Sequence, residues 1–327
     1  MKRPKISVVM ATYNHVDYVG EAIESVLNQT YRDFEFIIAD DFSTDGTVEK
    51  IMQYEDKIDE IHLFDYNSGN RGAFLGERVK GEYVAILNSD DVWETDKLEK
   101  QIKILEDNPN AAGCFTWAKM IGSKGENVEV QNPFCVVNRE KEEWMNYFYF
   151  HGNCMAHDSL LMKAEIYYHY RNKGTEMFRQ LPDFYLWIQM VQEHEVIMLE
   201  EPLTRIRIVD DAGRKNVSAV SRDNVLRHFN EEGYIWYKII TNMDNGYFLK
   251  AFKEQLINAN AYSDVEILCE KFFILLRARL EYCRIAAIFF GYDNFIQMQD
   301  ELQAAYGFTR KDFYELVANS GPSLYID

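Results

Sequence analysis

In the first hundred residues short apolar runs alternate with amphipathic segments, a pattern that commits this part of the chain to a mostly parallel sheet flanked by helices. Ile6 to Ala11 has the unbroken hydrophobicity of a buried strand. Tyr18, Ala22, Ile23, Val26 and Leu27 then recur at helical spacing, and Phe34 to Ala39 returns as a second strand ending at Asp40 and Asp41. Ser43, Thr44 and Asp45 can cap a helix over Val48 to Tyr54. A third strand is expected at Ile61 to Phe64 and a fourth at Tyr83 to Leu87, followed by Asn88, Ser89, Asp90 and Asp91. Leu98, Ile102 and Leu105 mark the next helix, which Asn108 and Pro109 stop.

From about residue 112 the alternation loosens. Phe184, Trp187, Ile188 and Val191 still mark a helix, and Val196 to Leu199 a strand. Beyond residue 225 the pattern is mainly helical through Leu316, so a domain over residues 1–225 followed by a helical appendage over 226–327 is expected, in keeping with 327 residues being more than one core usually holds. A composition 47% hydrophobic with 6 prolines excludes disorder. The net charge of −18 repels phosphate backbones and excludes nucleic acid as a macromolecular partner. Five cysteines, odd in number and without a Cys-x-x-Cys pair, argue against a disulfide framework or zinc site and read as buried thiols. No apolar run approaches the roughly 20 residues of a membrane span, and the N-terminus lacks a signal-peptide pattern, so the expected location is cytoplasmic.

The pairs Asp40–Asp41 and Asp90–Asp91 each end an apolar strand, and parallel pairing would bring both to the sheet edge where α/β folds bind ligands. Adjacent carboxylates repel unless a cation or hydrogen-bond donors offset them, and hard oxygen ligands suit Mg²⁺ or Mn²⁺. The chain has neither a P-loop nor a dinucleotide fingerprint after its first strand, which leaves metal bridging as the device for a diphosphate. A single Asp–Asp is more often a loop or cap feature; two at matched strand ends weaken that reading.

Ser7-Val-Val-Met-Ala-Thr-Tyr-Asn14, Ala22-Ile-Glu-Ser-Val-Leu-Asn-Gln-Thr-Tyr31 and Ala39-Asp-Asp-Phe-Ser-Thr-Asp-Gly-Thr47 follow one another in an order that resembles the nucleotide-binding half of family 2 glycosyltransferases. The stretch from Gly81 to Trp93 resembles that family's metal motif, and Arg179 to Trp187 its catalytic-base region. The resemblance covers about residues 5 to 230. It implies a GT-A fold and an inverting, single-displacement transfer from a nucleotide-sugar donor, with UDP-sugar favoured, to a saccharide or lipid-linked acceptor in surface polysaccharide or glycoconjugate synthesis. Carried over by position, Thr12 and Tyr13 line the base pocket, Asp40 accepts a hydrogen bond from the base, Asn88 faces the ribose with Ser89 also in the nucleotide site, Asp90 and Asp91 are the metal residues with Asp90 the direct ligand, and Asp183 is the general base. The sequence departs from the family at Asn88, where Asp is common, at Pro182, where Glu commonly precedes the base, and at Tyr185.

Arg71, Arg205, Arg207, Arg214 and Lys215 are candidates to meet the diphosphate, since Arg forks suit phosphate oxygens. His157, beside Asp158, is a candidate for the acceptor or donor-sugar pocket, against a structural reading, and Asp183 could be a helix N-cap as well as a base. The aromatic-rich C-terminal helices read first as core. The alternative is peripheral contact with a lipid-linked acceptor at the inner membrane face, or with a partner subunit such as a second copy. Two rival readings stay open: a nucleotidyltransferase, which would need a basic glycine-rich loop where Ala11-Thr12-Tyr13-Asn14 stands, and a nucleotide-sugar-binding module that has lost turnover.

Overall fold

The structure, a computed structural model, describes residues 3–69, 71–208, 222–277 and 284–320. Its strands are β1 (Ile6–Thr12), β2 (Phe34–Asp40), β3 (Glu60–Leu63), β4 (Tyr83–Ile86), β5 (Val92–Trp93), β6 (Ala111–Ile121), β7 (Leu161–Lys163) and β8 (Glu195–Arg207). They form one sheet in the order β3-β2-β1-β4-β7-β6-β8-β5. The run from β3 to β4 is parallel, with Ile6 opposite Phe34 and Tyr83, and Thr12 opposite Asp40. Antiparallel β7 joins β4 to β6, β8 runs parallel to β6, and β5 closes the edge antiparallel to β8. The flanking helix Val19–Leu27 buries Val19, Ala22, Ile23 and Val26, one face at helical spacing, against the core that also holds Ile6, Val8, Phe36 and Ile38.

The four parallel strands and the helices Val19–Leu27, Thr47–Met52 and Lys97–Asp107 fall where the apolar pattern predicts them, with ends moved by a residue or two, whereas the short helix Gly72–Gly76 and strands β5 and β6 were not expected. The helix expected after Asp45 spans Thr47–Met52. Its N-cap is Gly46 in the left-handed region (φ 98°), and Asp45 helps from one residue earlier by accepting from the Thr47 N–H (3.0 Å). Strand β8 is far longer than Val196 to Leu199, because it crosses an irregularity: Thr116 pairs with Leu199 but the next residue, Trp117, with Pro202.

Packing divides the chain into two compact units. The first comprises Met1–Glu140, Asn153–Gly174 and His194–Arg214 and contains the whole sheet; the second comprises Lys141–Gly152, Thr175–Glu193 and Lys215–Asp327. A single cut at residue 225 therefore differs from the packing at two inserted stretches. The reason is aromatic: Phe148 and Phe184, from the helices Lys141–His151 and Pro182–Met190, meet edge-to-face at 5.6 Å, and Phe184 meets Trp236 of the helix Arg222–Asn242 at 6.0 Å. Among the described residues the rest of the second unit is mainly helical through Ala318, as expected. Cys114, Cys154 and Cys269 are buried thiols; Cys135 is exposed, contrary to the reading of the cysteines as buried, and Cys283 lies outside the described residues.

Glycine is required at one turn that leads to the site. The N–H groups of Lys80 and Gly81 reach the Glu35 carboxylate and the Ser7 hydroxyl (both 2.8 Å), which draws the backbone before β4 against β1. A Cβ at Gly81 would stand 2.4 Å from the Ser7 nitrogen and 2.7 Å from the Ile6 carbonyl carbon, and backbone cannot yield there. Gly81→Ala is expected to cost about 2 kcal/mol or more, read as a lower urea midpoint at unchanged m-value; an unchanged midpoint would show that the turn relaxes freely.

Candidate active site

The carboxyl ends of β1, β2 and β4 lie at the same edge of the sheet, because both β2 and β4 run parallel to β1. Asp40 and Asp41 follow from β2, and the chain from Asn88 to Asp91 follows from β4. All four aspartates of the two pairs are buried. Each carboxylate has a different set of neighbours, and these separate their roles.

Asp40 accepts the Ser43 N–H (2.9 Å) and the Ser43 hydroxyl. Asp41 is spent on the backbone: Oδ1 accepts from the Ser68 N–H (2.9 Å) and from Arg71 Nε (2.5 Å), and Oδ2 from the Gly69 N–H (2.8 Å). Arg71 is correspondingly committed. Its guanidinium also donates to the Tyr66 carbonyl (2.6 Å) and lies 3.6 Å from the centre of the Phe64 ring.

Asp91 faces inward. Its Oδ1 accepts the Arg207 N–H (2.7 Å), and Oδ2 faces the Asn88 amide (3.4 Å). The Asp158 carboxyl takes the Asn88 N–H (2.7 Å) and amide (2.8 Å) and is hydrogen-bonded to Asp91. Burial first, then the neighbouring Asp158 and Asp90 charges, raise Asp91 well above the usual carboxylate range, and burial raises Asp158 to about 6. Both rises favour a proton on this buried pair, most strongly at Asp91. Asn88 thus spends its amide on Asp158, with the side chain still exposed.

Asp90 differs from the rest. Its backbone carbonyl accepts Arg207 Nε (2.8 Å), but among the described residues no hydrogen-bond donor reaches its carboxylate; His15 Nε2 lies 4.0 Å from it. His15 Nδ1 lies 2.7 Å from the buried Ser89 hydroxyl. On β1, the Thr12 hydroxyl is buried with no partner among the described residues, and the next residue, Tyr13, is 46% exposed. A buried polar atom left unpaired costs about 1–3 kcal/mol and is expected where a ligand completes the set.

The remaining arginines hold the scaffold. Arg207 donates to the carbonyls of Asp90 and Gly122 (2.9 Å) and to Glu21 (2.6 Å), and Arg205 grips Glu94 with two bonds (2.8 and 3.1 Å). Arg214 and Lys215 lie outside the described residues. His157 turns to the Tyr167 hydroxyl (3.2 Å), and burial, then Arg171, lowers it to about 3, which makes it a neutral internal group.

A divalent cation fits this edge only in part through protein ligands. Among the described residues no three His, Cys, Asp or Glu side chains are grouped to enclose one, whereas Asp90 offers an unmatched carboxylate. Cations that bind through one or two carboxylates complete their shell with phosphate oxygens and water.

In the second unit, Asp183 is half-buried in the first turn of the helix Pro182–Met190. The N-cap of that helix is Leu181. The three N–H groups leading into it, of Arg179, Gln180 and Leu181, all donate to the Glu231 carboxylate (2.8, 2.8 and 2.9 Å). Glu231 does here what a capping side chain does elsewhere, from a helix distant in sequence. Nothing in the linear pattern marks it; His15 and Asp158, by contrast, stand directly beside residues that the motifs single out.

Residues 7–171 match the family described as Glycosyl transferase family 2. An uncharacterised glycosyltransferase of Methanocaldococcus jannaschii is 30% identical over 272 residues, covering 79% of this chain and 88% of the relative. The chain belongs to glycosyl transferase family 2. Within that family, a Bacillus subtilis protein named for teichuronic acid biosynthesis, TuaG, is 43% identical over 129 residues, 38% of this chain and 50% of the relative. Among solved structures, Staphylococcus aureus TarS residues 1–349 with UDP align over 93% of this chain and 92% of that one (TM-score 0.58, 15% identity), which shows a shared GT-A-like fold. A mannosyltransferase of Pyrobaculum calidifontis, solved with GDP-Man and Mn²⁺, aligns at a TM-score of 0.50 and 16% identity over 99% of this chain and 88% of its own.

Beneath the edge of this glycosyltransferase lies a fully buried ammonium. Lys97 Nζ donates to Gln101 Oε1 (2.8 Å) and sits 4.0 Å from the centre of the Trp93 ring, whose N–H reaches the Asp158 carbonyl (2.7 Å). Burial pushes Lys97 from 10.5 down to about 7, against the opposing pull of Cys114 and Asp158. Below pH 7 the folded and unfolded chains both hold the proton, and the folded state bears the full cost; between 7 and 10.5 only the unfolded chain keeps it, so the cost recedes as pH rises. The Tm of Lys97→Met relative to wild type is therefore expected to be highest near pH 7 and to drop by pH 9 in calorimetry. A pH-independent difference would mean that Lys97 carries no such burden.

Proposed function

We propose that this glycosyltransferase takes its sugar from a nucleoside diphosphate donor, UDP-sugar in preference, and passes it with inversion to a hydroxyl of a saccharide or lipid-linked acceptor. The observation that carries this reading is the pair of unmatched polar groups at one sheet edge: the Thr12 hydroxyl after five buried residues of β1, and the Asp90 carboxylate after β4. Thr12, the exposed ring of Tyr13 and Asp40 would receive the base, Asn88 and Ser89 the ribose. The UDP and UDP-GlcNAc named with TarS, and the GDP-Man and Mn²⁺ named with the Pyrobaculum enzyme, support a nucleotide-sugar donor and a divalent cation. TuaG, by its name, supports a role in surface polysaccharide synthesis.

In the proposed reaction the acceptor oxygen attacks the anomeric carbon as the bond to the diphosphate oxygen breaks. The acceptor proton passes to the Asp183 carboxylate, and the nucleoside diphosphate leaves. A cation on Asp90, Mn²⁺ or Mg²⁺, would offset the charge that gathers on the diphosphate. With Arg71, Arg205 and Arg207 each bound within the protein, that cation takes on the neutralisation which they were expected to supply. Residues 1–225 are the proposed catalytic region and the face of action is the cytoplasmic one; among the described residues no helix is long and apolar enough to cross a membrane.

Two substitutions test the roles. Asp90→Ala should abolish the Mn²⁺-dependent thermal shift that a UDP-sugar gives the wild type; a shift that survives in the variant and still responds to chelator would remove Asp90 from the metal site. Asp183→Asn should keep donor affinity while kcat falls on the order of 10²- to 10⁴-fold, the contribution of a positioned base. Turnover at the wild-type rate would exclude Asp183 as the base.

A further inference from the structure

We propose that His15 is a second protein ligand of the cation held by Asp90, an inference that rests on the metal reading of Asp90 given above. The ring is presented by backbone that is fixed on both sides. Asn14 adopts a left-handed conformation (φ 54°), its N–H bonded to the Ser43 hydroxyl (2.8 Å) and its side-chain oxygen to the Thr44 N–H (2.8 Å). The His15 N–H donates to Thr47 Oγ1 (2.8 Å), and its carbonyl takes the N–H groups of Tyr18 and Val19 at the entry to the next helix. A non-glycine residue at positive φ is a conformation held by its surroundings, and here it aims an imidazole across the edge from β1 to the end of β4.

The two ring nitrogens then have separate tasks. Nδ1 is 2.7 Å from the Ser89 hydroxyl, and Nε2 is 4.0 Å from Asp90 Oδ2. Four ångströms is too long for a hydrogen bond between imidazole and carboxylate. Cis ligands about 2.1 Å from one octahedral ion stand about 3 Å apart, so a closing of about 1 Å, within the reach of side-chain rotation, would put both groups on one cation. With the Nδ1 proton on Ser89, the Nε2 lone pair is free for metal, the usual arrangement in which a second hydrogen bond orients a ligating histidine. The imidazole side chain is 28% exposed and the Asp90 side chain 12%, so both remain reachable from solvent. One nitrogen beside carboxylate and phosphate oxygens favours Mn²⁺ over Mg²⁺, which holds to oxygen.

Pulsed EPR of the full chain with Mn²⁺ and UDP reads the contact directly, through hyperfine coupling of the bound ion to an imidazole ¹⁴N. Coupling is expected in the wild type and should vanish in His15→Ala, with Mn²⁺ affinity down on the order of 10- to 100-fold and the circular dichroism unchanged, since the bonds that hold residue 15 in its turn are made by its backbone and the ring's own contact is to the Ser89 hydroxyl. Bound Mn²⁺ without ¹⁴N coupling in the wild type would overturn the assignment while leaving Asp90 as the metal residue, and that spectrum needs no variant to fold. Tighter Mn²⁺ binding by His15→Ala would make the imidazole a cationic competitor and overturn it too. A wild type that binds no Mn²⁺ with UDP would sink the metal reading of Asp90 itself, and this inference with it.

Discussion

Arg207 ties the last residue of β8 to the turn after β4, and the acidic edge of the sheet depends on that tie. Its N–H meets the Asp91 carboxylate, its guanidinium meets the carbonyls of Asp90 and Gly122 and the Glu21 carboxylate, and its charge lies 4.7 Å from the centre of the Tyr18 ring. A chain with a net charge of −18 that buries five carboxyl groups along one edge needs compensation there, and a planar fork of fixed donors supplies it in directed form. Arg71 does the same for Asp41, just past the end of β2. Removing either partner of such a pair leaves a buried charge unmatched, which costs far more than the pair itself contributes.

Because the other carboxyls along the edge accept donors within the protein, Asp90 is, among the described residues, the carboxylate left for a cation. Asp41 organises the loop that follows β3, Asp40 fixes Ser43, Asp91 accepts the Arg207 N–H, and Asp158 takes the N–H and the amide of Asn88. Asp90 keeps its backbone in that network and its carboxylate outside it. The division explains why two Asp–Asp pairs that look equivalent in sequence need not have equivalent chemistry. On the proposed reading it also accounts for how a strongly acidic protein would receive a diphosphate, with the compensating charge arriving as the donor's own cation.

The parallel half of the fold was legible because β1, β2 and β4 are buried on both faces and read as continuous apolar runs, so strand, turn and acidic end can be placed from local pattern alone. The mixed half was not. Strand β6 meets β8 across a gap of some eighty residues with an irregular register at Trp117 and Pro202, and β7 is three residues long. The helix Lys141–His151 is aromatic on several faces and shows little amphipathic period. Its membership of the second unit is decided by contacts of Phe148 and Tyr149 with Phe184 and Trp236, which no local window contains.

The sequence by itself determined the family, the parallel core, and the positions from which a nucleotide site could be built, since motif and hydrophobic period are local properties of the chain. It also placed Thr12, Asp40, Asp90 and Asp183 as candidates. Only the tertiary structure decided which candidates are already consumed: Arg71 by Asp41, Arg205 by Glu94, Arg207 by the turn around Asp90, Asp91 by Asp158. It likewise brought forward His15 beside Asp90 and Glu231 beneath the Asp183 segment. The reason is that a polar side chain's chemistry depends on which partners saturate it, and those partners arrive from residues tens to more than a hundred positions away.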